Sequence, residues 1–127
     1  KRGGGSIVIT SSILGLKGAG VGLSAYAASK HAVIGLMRAA AIENAPLGIR
    51  VNAITPAFVE GPMMERLTQS AAHDAGEQFR ERVQNLVPMA RYCTPDEVAQ
   101  ILLFLAGDES SFCTGGVYPV DGGMSAR

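Results

Sequence analysis

Tryptophan is absent from this sequence, and cysteine occurs at two distant positions, Cys93 and Cys113. Two such thiols exclude a disulfide scaffold and a cysteine-built zinc cluster; no metal site is expected, and a reducing cytoplasm is the expected compartment. Neither sign of charge is in excess, because eleven Lys and Arg balance eleven Asp and Glu. That balance removes any general attraction to nucleic acid or to an anionic membrane surface. Long hydrophobic runs are missing as well. Gly, Ser or a charge interrupts each apolar stretch well short of the roughly 18 residues that a membrane-spanning helix needs, and no signal-peptide pattern opens the chain.

What is present is apolar and rich in glycine. Of 127 residues, 47% are hydrophobic and 17% charged, a balance that excludes disorder and allows one compact domain. Sixteen glycines and a mean hydropathy of +0.21 are high for a chain whose surface is large relative to its volume. Some apolar surface is therefore expected to meet another chain. The opening Lys1-Arg2-Gly3-Gly4-Gly5 has no Met and leads almost at once into a strand, as though cut from a longer sequence.

Ser6 to Thr10 is a short β-branched run, and its continuous apolar character predicts a strand buried on both faces, as in a parallel sheet. A small-residue loop follows from Gly15 to Ser24. From about Ala25 to Glu43 the residues are mostly Ala, Leu, Ile, Met and Val, and Asn44, Pro46 and Gly48 supply a stop, which predicts a helix of about five turns. Its charges are few, so it should be covered on most sides, one of them by a partner subunit. Gly48 to Ile54 predicts a second strand closed by Thr55-Pro56, and strand, helix, strand makes a crossover with parallel strands. Beyond Pro56 two short helices are predicted, Met63 to about Gln69 and Glu77 to Leu86. Thr94-Pro95-Asp96-Glu97 is a capping box that starts a helix running to about Leu105. Val117 to Val120 predicts a last strand, placed at an edge by Pro119.

In a parallel sheet, ligands gather beyond the carboxyl ends of the strands. Ser11-Ser12, the segment from Tyr26 to Lys30, and Thr55-Pro56 all fall there and should face one crevice. Tyr26 and Lys30 are four apart and share a helix face. A free phenol titrates near pH 10, and acid/base work near neutrality requires a preference of roughly 3 to 4 kcal/mol for the phenolate, part of which a nearby cation can supply. The same spacing is common on helices without any chemistry, so the pair acquires meaning from its context.

That context is a resemblance. Gly4 to Ser12, Tyr26-Ala27-Ala28-Ser29-Lys30, Gly48 to Pro56, Pro88 to Ala99 and Thr114 to Gly123 resemble, in order, the carboxyl-terminal half of a short-chain dehydrogenase/reductase. The resemblance spans essentially all of residues 1–127. It implies a Rossmann-like, doubly wound parallel α/β sheet, of which this chain would hold about three strands with flanking helices. It further implies hydride transfer between NAD or NADP and a carbonyl or secondary-alcohol substrate. Tyr26 would be the general acid/base. Lys30 would lower the pKa of Tyr26 and hydrogen-bond the nicotinamide ribose, and Ser12 would hold the substrate oxygen. The interval from Ser12 to Tyr26 is one residue longer than the family pattern, a difference that the Gly18 to Gly22 loop can absorb. Pro56, Ala57 and Val59 would line the nicotinamide through backbone amides. The family usually has Gly where Ala57 stands and often Thr where Gly61 stands, which implies altered contacts with the cofactor ring and carboxamide.

Other polar residues are read as structural. Asn52, mid-strand, needs buried partners. Arg91 and Asp121 support segment packing, and His31 points away from Tyr26 on the helix. Met63, Met64 and Met89 lie where the family carries a substrate lid, and ordinary packing explains them equally well. No glycine-rich phosphate loop opens a helix after a strand, so the adenosine half of a dinucleotide has no site in this sequence. The family's corresponding segments precede everything seen here. The alternative to an oxidoreductase is a catalytically inactive half-domain that serves as an oligomerisation or scaffold unit. A homodimer or homotetramer packed through the helix from Ala25 to Glu43 is expected in either case.

Overall fold

The computed structural model describes residues 3–18, 20, 22–70 and 76–126. Positions 19 and 21, inside the loop expected to absorb the extra residue, lie outside the described residues, as do Lys1 and Arg2. The β-branched run near the start forms β1 (Gly5–Thr10), and the Ala- and Leu-rich stretch forms α1 (Ser24–Asn44). Gly48 ends the connection after α1 in a left-handed conformation (φ 71°), where a side chain would be strained, and β2 (Ile49–Pro56) begins directly after it. Next come α2 (Pro62–Ser70), α3 (Gly76–Leu86), α4 (Pro95–Ala106) and β3 (Val117–Val120).

The three strands form one parallel sheet in the order β1-β2-β3, with Gly5 opposite Ile49 at one end of the first pair and Thr10 opposite Ile54 at the other. The second pair runs from Ala53 opposite Val117 to Pro56 opposite Val120, which puts Pro119 on an edge strand as expected. β2 is the buried strand: Val51 through Pro56 are all inaccessible. One face of it, Val51 and Ala53, packs against Met37 and Ala41 of α1 in the main apolar cluster. Leu105 of α4 is also fully buried.

Two expectations need correction. β1 is not buried on both faces, because Ile7 is 50% exposed and β1 pairs with a strand on one side alone among the described residues. Its apolar run reflects a demand for neighbours that these residues do not supply. Thr55 and Pro56, expected to close β2 and face the crevice, are its last two residues and are buried within it.

Arg50 fixes α4 to the sheet. Its guanidinium donates to the carbonyls of Leu105 (3.0 Å) and Gly107 (2.8 Å) and to Ser110 Oγ (2.8 Å), placing a cation on the exposed carbonyls of a helix C-terminus. Asn52 is fully buried and satisfied: its Nδ2 donates to Cys113 O (2.8 Å) and its Oδ1 accepts from Gly116 N (3.0 Å). The structural reading of Asn52 holds.

Candidate active site

The carboxyl end of β1 and the second turn of α1 are tied together at one residue, Lys30. Its ammonium donates to Thr10 O at 3.3 Å, and its backbone carbonyl accepts from Ser11 Oγ at 2.9 Å. The same ammonium lies 5.6 Å from the centroid of the Tyr26 ring, as the four-residue spacing predicts for one helix face. Tyr26 is 41% exposed, so its phenol is open to a ligand arriving from outside. The Ser29 hydroxyl donates to Tyr26 O at 2.7 Å and reinforces the first turns of the helix. His31 is exposed, with Nδ1 2.9 Å from Ala27 O of its own helix, in keeping with a helix-surface residue.

Ser12 follows directly on this strand end. Its extended backbone (φ −162°, ψ 160°) starts the short turn Ile13–Gly15, and its Oγ accepts from Leu14 N at 3.2 Å. A hydroxyl that accepts one bond keeps its own proton for another acceptor. The turn is tight: a Cβ on Gly15 would lie 2.6 Å from Ser11 Oγ and 2.8 Å from Lys30 O. Thr10, Ser11, Gly15 and Lys30 therefore form one close-packed junction beside Ser12. Ser11 and the Thr10 carbonyl carry no sequence signal for this role, because it depends on where α1 lands along β1.

The segment after β2 is bound differently. Ala57 N donates to Val120 O at 3.2 Å, which commits that amide to the protein's own backbone. Val59 forms a parallel bridge with Cys93, made through Cys93 N to Phe58 O and Glu60 N to Cys93 O, both 2.9 Å. In that pattern the N–H of Val59 faces the opposite side of the chain. Gly61 has a φ of +146°, and a Cβ placed there would meet nothing within 4 Å. Threonine at this position would be strained by the backbone although the space is open. Lys30 and Tyr26 offer an ammonium and a phenol on one helix face, and Val59 an amide turned away from its bridge to Cys93.

A groove of about 310 Å³ lies beside this segment, lined by Ala57, Phe58, Met89, Asp121 and Gly122 among others, and by none of Ser12, Tyr26 and Lys30. Burial acts to raise the Asp121 carboxyl, but hydrogen bonds from Ser125 and Gly123 outweigh it and, with the charge of Lys17, hold the group below its ordinary value. Lys17 donates to Met124 O, so the loop after β1 is fastened to the loop after β3. Met63 is 71% and Met89 60% exposed, while Met64 is partly covered.

Comparison with known proteins agrees with this architecture. Residues 1–125 match the family described as enoyl-(acyl carrier protein) reductase. The chain is 46% identical over 124 residues to the 3-oxoacyl-[acyl-carrier-protein] reductase FabG of Thermotoga maritima, covering 98% of this chain and 47% of that protein. Levodione reductase superposes with a TM-score of 0.89 at 38% identity, over 94% of this chain and 46% of that one. A putative NAD(P)-dependent gluconate 5-dehydrogenase from Beutenbergia cavernae, with NADP bound at low occupancy, gives 0.88 at 37% identity, over 99% and 48%. The chain thus spans about half the length of the relatives it matches. With the match running through nearly every residue, the chain belongs to the short-chain dehydrogenase/reductase family of NAD(P)-dependent oxidoreductases.

Proposed function

We propose that these residues carry the acid/base machinery of an oxidoreductase that interconverts a small carbonyl compound and its secondary alcohol. On this reading residues 1–127 are the carboxyl-terminal, catalytic half of one Rossmann-type domain. The observation that supports it most is the position of the Lys30 ammonium, between the Thr10 carbonyl and the Tyr26 ring. A bound nicotinamide supplies or accepts the hydride. The chain's own residues do the rest. Tyr26 gives its hydroxyl proton to the substrate oxygen in reduction and takes it back in oxidation. Ser12, whose Oγ already accepts from Leu14 N, directs its O–H at the same substrate oxygen and opposes the charge that develops there. Lys30 stabilises negative charge on the phenol oxygen and donates to the ribose hydroxyls. Val59 and its neighbours Pro56 and Ala57 wall the nicotinamide, with Val59 alone offering its amide away from the protein's own bridge.

The test is Tyr26→Phe in the full-length protein. Turnover should fall by about 10² to 10⁴, the range for a lost general acid or base, while cofactor affinity stays within a few-fold. Near-normal turnover removes the assignment.

We also propose a homo-oligomer packed through α1. Ala32, Gly35, Leu36, Ala39 and Ile42 form an apolar stripe, with Glu43 at its carboxyl end, opposite the buried Ile34, Met37 and Ala41; Leu36 is 66% and Ile42 78% exposed. No described helix is long and apolar enough to cross a membrane. Two unpaired thiols, Cys93 and Cys113, support a reducing, cytoplasmic setting.

A further inference from the structure

We propose that Ser11 is a positioning residue: its hydroxyl ties Lys30 to the end of β1 and thereby sets the height at which α1 presents Tyr26 and Lys30 beside Ser12. The proposal rests on the acid/base reading given above and adds to it a residue that touches neither substrate nor cofactor.

The start of α1 rests on the turn Ile13–Gly15 but buries none of its own side chains. The first buried side chain of the helix is Ile34, ten residues after Ser24, or about 15 Å along the axis. Tyr26 and Lys30 both lie before it. Apolar packing anchors the helix from Ile34 onward, so the two turns that carry the chemistry need another constraint. Thr10 and Ser11 provide it, one residue after the other. The Thr10 carbonyl accepts from the ammonium at 3.3 Å, and Ser11 Oγ donates to Lys30 O at 2.9 Å.

Ser11 is suited to act as a fixed point. It is 4% exposed, and its own N–H donates to Ile54 O of β2 at 2.9 Å, so the residue just after β1 is still bonded to the sheet. Gly15 covers the bond. A Cβ there would stand 2.6 Å from Ser11 Oγ, 2.8 Å from Lys30 O and 2.9 Å from Ile34 Cδ1, so the backbone of Gly15 lies directly against the bond. Loss of the Ser11 hydroxyl removes this partner of the Lys30 carbonyl. The neighbouring hydroxyl makes a different contact: Ser12 Oγ accepts from Leu14 N. The two adjacent serines thus differ in role, one holding the helix and one left for the substrate.

The experiment compares Ser11→Ala, Ser11→Cys and Tyr26→Phe in the full-length protein, with rates expressed per cofactor-binding site so that loss of folded protein does not count as loss of rate. Ser11→Ala is expected to lower kcat about tenfold or more, since misplacement of about 1 Å can cost 10²-fold, with KM for the cofactor changed less than about threefold. Ser11→Cys keeps the shape of the side chain and a weak donor on a larger atom, and should fall between Ser11→Ala and the parent. It also serves as the reading if Ser11→Ala does not fold. Adding Ser11→Ala to Tyr26→Phe should lower the rate by less than Ser11→Ala lowers it in the parent, because there is no phenol left to misplace. A kcat per site within twofold of the parent for Ser11→Ala, or for Ser11→Cys where Ser11→Ala does not fold, overturns the positioning role. An undiminished rate in Tyr26→Phe overturns the acid/base reading instead, so the two failures are told apart.

Discussion

Arg91 and Glu97 meet through two hydrogen bonds, at 2.8 and 2.6 Å, across the first turn of α4. The same carboxylate accepts from Thr94 N at 2.8 Å, while Thr94 Oγ1 accepts from Glu97 N at 3.3 Å, which completes the capping box. The Arg91 guanidinium, then the Thr94 amide, hold the Glu97 carboxyl down at about 2. An unfolded Glu titrates near 4.3. A carboxyl whose folded value is depressed adds stability that is fully present above the unfolded value and is lost as pH falls through the folded one. The expected outcome is a loss of stability between about pH 4.5 and pH 2 that Glu97→Gln reduces, measured by urea midpoints across that range. An identical acid limb in the variant removes Glu97 from the account.

Ala90 has a φ of 53°, the one non-glycine residue at positive φ among those described. A side chain in the left-handed region costs roughly 1 to 2 kcal/mol. Glycine removes that strain but adds about 0.4 to 1 kcal/mol of unfolded-state entropy. Ala90→Gly is therefore expected to raise stability by about 0.5 to 1 kcal/mol, read as a higher urea midpoint at unchanged slope. A lower midpoint would show that the exposed methyl of Ala90 contributes contacts that outweigh its strain.

The parts of this protein that could be read from sequence are those whose causes are local. Thr94, Pro95 and Glu97 satisfy helix donors within one turn, and the expected capping box is there. The helix from about Ala25 to Glu43 is bounded by its own stop residues and differs by one residue at each end. What depends on distant neighbours was not visible. β1 has the apolar run of a doubly covered strand, yet its exposure is set by what stands beside it, not by Ile7, Val8 and Ile9 themselves. Asn52 needs partners wherever it is buried, but Cys113 and Gly116 lie 61 and 64 residues away. Ser12, Tyr26 and Lys30 came from the family resemblance, whereas the grip of Ser11 on Lys30 follows from the landing point of a helix, for which no local pattern exists.

Asn52 allows a direct measurement of that long-range pairing. Removing its amide leaves Cys113 O and Gly116 N, 2.8 and 3.0 Å from it, without partners in a fully buried setting. Each orphaned group costs about 1 to 3 kcal/mol, so Asn52→Ala should destabilise by about 2 to 5 kcal/mol. Asn52→Asp keeps the acceptor for Gly116 N but sets a carboxylate against the Cys113 carbonyl. It should be destabilising as well, less so at low pH, where the protonated acid can donate. Equal stability of either variant and the parent would show that the loop from Cys113 to Gly116 is held by other contacts.

The exposed stripe on α1 leads to a prediction about assembly. Ala32, Gly35 and Ala39 are small enough for a second helix to approach closely, and Leu36 and Ile42 supply the apolar area. Across a two-fold axis each residue is used twice, so a single substitution places two charges in one interface. Ile42→Glu is accordingly expected to shift the full-length protein to a smaller species at micromolar concentration, as read by sedimentation equilibrium, with Tm becoming independent of protein concentration. Arg82 is exposed on a different helix, α3, and Arg82→Glu serves as the control with a charge change of its own. Dissociation by Ile42→Glu and not by Arg82→Glu supports packing through this face. An oligomer that survives Ile42→Glu, or a parent protein that sediments as a monomer, rules it out.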